Sequence, residues 1–238
     1  MLREVTDLLM PRTCLVCGRQ LTPQETHLCV WCSSDLPLTY NWEQAHNPMA
    51  DELNALLERT RPDAAPMPYV YATALLLYHH ENPYKQIPRA LKYRGNRRAG
   101  RYFGSLLGQY MAKESHLQDI DLVIPVPLHW YRRWKRGYNQ AAVLAGEIAR
   151  ELGAELRTDL LTRAHHTRTQ TSLDADDRMR NVAGVFRAGK VPVGARHILI
   201  VDDTFTTGAT LAACYNTLRE VLGPAQRISV ATLSVVQD

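Results

Sequence analysis

The chain has 238 residues, 45% of them hydrophobic and 22% charged, proportions ordinary for a soluble globular protein and enough for one full α/β domain plus a small appendage. A net charge of +4 permits an anionic partner without demanding one. No apolar run approaches the roughly 20 residues of a membrane span, and the opening MLREVTDLLMPRTC lacks a secretory apolar core and a small-residue cleavage site, so a cytoplasmic protein is expected.

The first readable segment is CLVCGRQLTPQETHLCVWC, with Cys14, Cys17, Cys29 and Cys32 in two CxxC pairs eleven residues apart. Each pair offers two thiolates from one turn, and two pairs close a tetrahedral site. Gly18 suits the first turn. Two disulfides or four ordinary buried cysteines are the alternatives, and a reducing cytosol argues against the disulfides. The expectation is a structural zinc ribbon, too small to bury a core and folded by its metal. Four thiolates leave no open position for chemistry, and His27 is a weaker competing ligand. The fifth cysteine, Cys214, reads as a small core residue.

DELNALLERT (51–60) has helical spacing through Leu53, Leu56 and Leu57, and RPDAAPMP after it reads as a linker. The expected division is therefore ribbon and linker over 1–66 and a main domain over 67–238. VYATALLLYHH predicts a strand, with a partner expected across a turn. IPRALKYRGNRRAGRYFGSLLGQYMAK (87–113) is rich in helix and interrupted near Gly95. DLVIPVPLH is a short buried strand. AAVLAGEIARELG (141–153) carries Leu144, Ile148 and Leu152 on one face and Gly153 at its C-terminal cap. HILIVDD predicts a second buried strand, GATLAACYNTLREVLG (208–223) a helix, and RISVATLSV a last strand. Strands alternating with helices imply an α/β fold with a mostly parallel sheet covered on both faces.

The stretch ILIVDDTFTTGAT (198–210) carries the chemistry. Open α/β sheets bind ligands at the carboxyl ends of their strands, and Asp202 and Asp203 stand where this strand ends. The turn then feeds a helix whose first N–H groups carry about half a positive charge and suit a phosphate. Thr206, Thr207 and Thr210 add hydroxyl donors, and Gly208 allows close approach. Two adjacent carboxylates suit vicinal hydroxyls, or a hydrated Mg²⁺ shared with the ligand. A phosphate at one end and a diol nearby describe a pentose 5-phosphate. A capped helix after a polar turn, with no ligand, is the plainer alternative.

PVPLHWYRRWKRGYNQA (125–141) follows the other buried strand and should reach the same end of the sheet. Arg132, Arg133, Lys135 and Arg136 suit phosphate oxygens, the guanidinium forks best of all. Trp130, Tyr131, Trp134 and Tyr138 between them equally suit stacked bases of a single strand. A solvated basic face is the third possibility. RAHHTRTQTSLDADDRMRNVAGVF (163–186) is long and polar, either a lid over the phosphate site or a surface loop.

The thirteen-residue stretch resembles the signature of the type I phosphoribosyltransferases, which bind phosphoribosyl pyrophosphate (PRPP). That resemblance implies that the carboxylates of Asp202 and Asp203 contact the ribose hydroxyls, as the catalytic pair of the site. It implies that Thr204, Thr206, Thr207, Gly208, Ala209 and Thr210 wrap the 5-phosphate, and that Mg²⁺ accompanies the ligand. Phe205 departs from the aliphatic residue usual there, and its side chain is expected to point away from the phosphate. The order CxxC…CxxC, LKYRG, PVPLH…RRWKRGYNQA, TQTSL…GVF and VDDTFTTGAT resembles the ComF/GntX family along almost the whole chain, residues 33–66 excepted. Tyr138 stands where that family has Phe. The resemblance implies a type I phosphoribosyltransferase fold with an N-terminal zinc ribbon, a role in uptake and use of external DNA, and pyrophosphate held by the loop of Arg132, Arg133, Lys135 and Arg136; Arg168 and Gln170 are the lid candidates of the polar stretch 163–186. Expected partners are PRPP or another phosphorylated pentose, single-stranded DNA, and a DNA-processing helicase-type protein. No residue stands out as a general base.

Overall fold

The computed structural model describes residues 12–61, 68–79, 81–93, 95–163 and 184–237. The boundary expected near residue 66 and the stretch holding Arg168 and Gln170 lie outside these residues.

The chain begins with the cysteine-bearing turns and a short helix, α1 (Val30–Ser34), which starts at Cys29. Helix α2 (Pro48–Thr60) has a sharp start: Pro48 occupies the first turn, and Asn47 accepts a hydrogen bond from the Ala50 N–H at 3.0 Å. It buries Met49, Leu53, Leu56 and Leu57 within the core of the main body. Strand β1 (Ala72–Tyr78) follows, then α3 (Gln86–Tyr93) and α4 (Arg97–Met111). Gly95 separates the two helices at φ +63°, and Asn96 caps α4. Strand β2 (Leu122–Pro125) leads to α5 (Trp130–Arg136) and α6 (Gln140–Leu152). Gly153 ends α6 in the left-handed conformation, as its position predicts. Short strands β3 (Glu155–Leu156), β4 (Leu161–Arg163) and β5 (Phe186–Ala188) precede the long β6 (His197–Phe205). Helix α7 (Ala209–Arg219) and strand β7 (Arg227–Val236) complete the described chain.

The main sheet has the order β1-β7-β6-β2-β3, parallel at every pairing, and β4 and β5 form a separate antiparallel pair. This is the mixed α/β architecture that the alternation of strands and helices implies. The apolar strands alternate between two faces, both covered. Ile198 and Ile200 of β6 join α2 and α7 in one core, while Leu199 and Val201 join α3, α4 and α6 in the other. Such burial on both sides explains why the strands read as unbroken apolar runs. The partner of β1 is the distant β7, in parallel, rather than a strand across a turn.

Helices α4 and α6 pack tightly because Gly100, Gly104 and Gly108 line the contact. A Cβ at Gly104 would come within 3.0 Å of the Leu144 carbonyl oxygen. On the far side of β1 the segment after α1 lies antiparallel: Leu38 bridges Leu76, and the Leu77 N–H donates to the Pro37 carbonyl at 2.8 Å. Trp42 is buried and stacks on Tyr110 of α4 at 4.5 Å. The Tyr84 hydroxyl donates to the Cys32 carbonyl at 3.2 Å, so the cysteine-bearing segment is docked onto the main body. Among the described residues, no helix is long and apolar enough to cross a membrane.

Candidate functional site

Two clusters stand out: the four cysteines and the carboxyl end of β6. The ligand atoms of Cys14, Cys17, Cys29 and Cys32 all lie within 4.8 Å of one another, and none of these cysteines is disulfide-bonded. Gly18, at φ +73°, closes the first turn with its N–H on the Cys14 carbonyl. Glu25 holds the intervening loop by accepting from the N–H groups of Thr22 and Val30, both at 2.7 Å. Burial raises the Cys14 thiol, but N–H groups of Cys17, Cys29 and Val16 outweigh it and bring the pKa down to about 7. A set of four thiols in one knot, with backbone donors aimed at sulfur, fits a tetrahedral cation such as Zn²⁺. His27 packs against Tyr102 instead, with ring centroids 5.3 Å apart.

At the other cluster, β6 runs on through the acids to Phe205, so the turn proper is Thr206–Gly208. Phe205 is 1% exposed in the core, facing away from the turn's outer surface. Gly208 sits at φ +69° as the first residue of the α7 cap, and no side chain caps that helix. A Cβ there would meet Phe205 at 3.0 Å and Leu56 at 3.2 Å, so both conformation and space require glycine. Thr206 and Thr207 are exposed, while Ala209 and Thr210 are half-buried at the start of α7.

Asp202 and Asp203 are both half-buried, and the Asp203 N–H donates to Asp202 Oδ1 at 2.8 Å. Burial, then the Asp203 charge, push the Asp202 carboxyl up to about 7 against the pull of Lys92 and Arg163. Lys92, from the last turn of α3, reaches Asp203 Oδ1 at 2.9 Å and donates to Thr204 Oγ1 at 3.0 Å. Ser234 of β7 donates to Thr204 Oγ1 at 3.2 Å. Sequence reading contains LKYRG but gives Lys92 no role. The only signal would be pairing across more than a hundred residues, which one sequence does not carry.

The basic segment is a short helix, α5, whose strand of origin ends beside β6: Pro125 pairs with Val201, and the Val126 N–H donates to the Val201 carbonyl at 2.8 Å. Arg132, Arg133 and Lys135 are exposed, as are Trp130, Tyr131 and Trp134, the last at 78%. Arg136 is different. It bonds Gln140 at 3.1 Å and lies over the Tyr93 ring, which fixes it as a connector. RGYNQ is in fact the joint between α5 and α6. Gly137 takes φ +74°, Tyr138 is buried beneath Arg97, and Asn139 both caps α6 and donates to the Val126 carbonyl. A cleft of about 550 Å³ lies beside this joint, lined among others by Pro125, Trp130, Arg133, Tyr138 and Arg163. Arg163, which opens the polar stretch 163–186, has its pKa lowered first by burial and then by the Arg132 charge, with Asp202 pulling the other way.

The fold and its two clusters define a parallel α/β protein with a four-cysteine metal-type knot and an acidic strand end. No protein-family model matches the chain. Over 113 residues, 46% of this chain and 49% of the relative, it is 38% identical to Competence protein F of Haemophilus influenzae. It is 42% identical to DNA utilization protein YhgH of Escherichia coli K12 over 96 residues, which is 40% of this chain and 42% of the relative. The YhgH of Salmonella typhimurium is also 42% identical, over 43% of this chain and 45% of the relative. The match spans about half or less of the length of each relative. Over less than half of its length the chain is thus similar to proteins named for competence and for DNA utilization.

Proposed function

We propose that this chain serves DNA utilization in the cytoplasm by binding a pentose 5-phosphate, PRPP or a close relative, at the carboxyl end of β6. One observation carries the reading: the half-buried pair Asp202–Asp203 lies near the carboxyl end of a parallel strand that continues to Phe205 and, through a left-handed Gly208, into the uncapped start of α7. Carboxylates accept from the ribose hydroxyls, and the turn Thr206–Thr210 donates to the phosphate. Mg²⁺, when bound with PRPP, would neutralise the pyrophosphate and polarise its oxygens. Arg132, Arg133 and Lys135 would hold that pyrophosphate, and Arg168 and Gln170 would belong to a covering segment. Transfer would break the C1–O bond to pyrophosphate and form a bond from C1 to an acceptor, the fixed donors stabilising charge on the leaving group.

Calorimetric titration with PRPP and Mg²⁺ tests this reading. The double variant Asp202→Ala, Asp203→Ala should weaken binding at least about tenfold; equal binding by variant and parent overturns the site.

A second reading has its own support. On α5 the exposed rings of Trp130, Tyr131 and Trp134 alternate with Arg132, Arg133 and Lys135. Rings that stack bases and cations that meet a backbone suit single-stranded DNA. Relatives named as DNA utilization proteins are consistent with a DNA ligand. The zinc-type ribbon, with Val30 and Trp31 exposed, would then dock a DNA-processing, helicase-type partner. Trp134→Ala should weaken oligonucleotide binding by about 1–3 kcal/mol, and affinity should fall as salt rises. Salt-independent binding, or no change in the variant, removes this reading.

A further inference from the structure

We propose that Lys92 is a ligand-binding residue that stands in for a metal at the diol half of the strand-end site. The sugar phosphate then binds there without a divalent cation, and Mg²⁺ serves the pyrophosphate half alone. The proposal rests on the pentose-phosphate reading above and deepens it.

Two adjacent carboxylates repel each other, so a site that must keep at least one of them ionised needs a cation close by. A divalent metal is one solution. Here the fold supplies another from a different element. Lys92 closes the last turn of α3, and its Nζ lies 2.9 Å from Asp203 Oδ1 and 3.0 Å from Thr204 Oγ1. The pair is largely shielded, at 23% and 15% side-chain exposure, so the ammonium is a fixed part of the site and not a surface cation swinging past it. Ser234 holds Thr204 from the β7 side, with its hydroxyl 3.2 Å from Thr204 Oγ1 and 3.3 Å from the Asp203 carbonyl. The ammonium is therefore clamped between two anchored acceptors.

An ammonium has three N–H donors. Asp203 and Thr204 take two, which leaves one for an oxygen of the ligand. Mg²⁺ on the same carboxylate oxygen would sit about 2.0–2.1 Å from it. It would then face the Lys92 charge across that oxygen. The geometry favours one cation at Asp203, and the chain already provides it. Asp202 remains to accept from the second hydroxyl. Pyrophosphate carries far more negative charge than a sugar hydroxyl, so that half of PRPP still gains from Mg²⁺.

The test uses the full zinc-loaded chain, titrated by calorimetry with ribose 5-phosphate and with PRPP. Each titration is run in magnesium-free buffer and with Mg²⁺; a chelator is avoided because it would attack the cysteine knot. Ribose 5-phosphate should bind the parent equally well in both buffers, whereas PRPP should bind more tightly with Mg²⁺. Lys92→Met should weaken ribose 5-phosphate binding at least about tenfold without Mg²⁺ and recover when Mg²⁺ is added. Lys92→Arg should keep metal-independent binding, and thermal melts of both variants report folding. A merely structural lysine would not produce the metal rescue. The proposal is overturned if the parent needs Mg²⁺ for ribose 5-phosphate, or if Lys92→Met binds it like the parent in magnesium-free buffer. Loss of binding in Asp202→Ala, Asp203→Ala with none in Lys92→Met sinks this proposal and keeps the site. Failure of the parent to bind either sugar phosphate in either buffer removes the site and the proposal together.

Discussion

Asp202 and His197 sit in the same strand and should respond to pH in opposite senses. Asp202 has its pKa raised to about 7, first by burial and then by Asp203. The folded state therefore holds a proton that the unfolded chain has released, and the stability this contributes is lost as pH rises from about 4 to about 7. Asp202→Asn should stabilise the ligand-free protein at pH 8 by on the order of 2 kcal/mol, read from urea melts. A variant less stable than the parent at pH 8 contradicts this. His197 is fully buried, with Nδ1 2.7 Å from Asp119 and Nε2 2.7 Å from Ser229. Burial lowers its pKa to about 4, although Asp121 pulls the other way. Arg227 pairs with Asp119 behind it, and His116 is the other titratable ring nearby. A depressed histidine keeps its stability above the unfolded value and loses it as pH falls from about 6.5 towards about 4. His197→Gln should flatten that part of the pH profile, removing about 1–3 kcal/mol of the stability change across it. An unchanged slope would show that the carboxylates alone set acid stability.

At the scale of elements, the α4–α6 contact separates two kinds of glycine. Gly104→Ala places a Cβ 3.0 Å from the Leu144 carbonyl and 3.2 Å from its Cα, backbone that cannot swing aside. It should cost about 1–3 kcal/mol. Gly146, inside α6, would meet only Leu156 Cδ2 at 3.7 Å, so Gly146→Ala should gain up to about 1 kcal/mol from helix propensity. Urea melts of the two variants should shift in opposite directions. This level also shows what one sequence can reveal. β2, β6 and β7 were legible because burial on both faces leaves unbroken apolar runs, and α6 because its apolar face and Gly153 mark a helix and its end. α5 was not, since WYRRWKR has no apolar stripe to bury. β3, β4 and β5 have two or three residues each, too few for a period. The acids and the turn were readable as local chemistry. Lys92 was not, because it meets the acidic end only through tertiary folding.

For the molecule as a whole, the cysteine knot is tied into one of the two cores: Cys14, Leu21, Leu28 and Cys29 share a cluster with Leu75, Phe103 and Leu199. Metal loss should therefore reach beyond the ribbon. Native mass spectrometry should find one zinc per chain, and Cys17→Ser should abolish it with a lower Tm while the parallel sheet persists by far-ultraviolet circular dichroism. A metal-free parent with the same Tm as the zinc-loaded form contradicts that coupling. The segment Pro37–Thr39 has a different consequence. β1 is an outer strand of the sheet, and this segment satisfies it from outside through Leu75 and Leu77. Stripped of it, β1 would present unpaired N–H and C=O groups to any neighbouring copy. The stretch between the knot and α2 is thus a guard against self-templating, and a chain cut back past residue 40 should scatter light more steeply than in proportion to its concentration, joined edge to edge through β1.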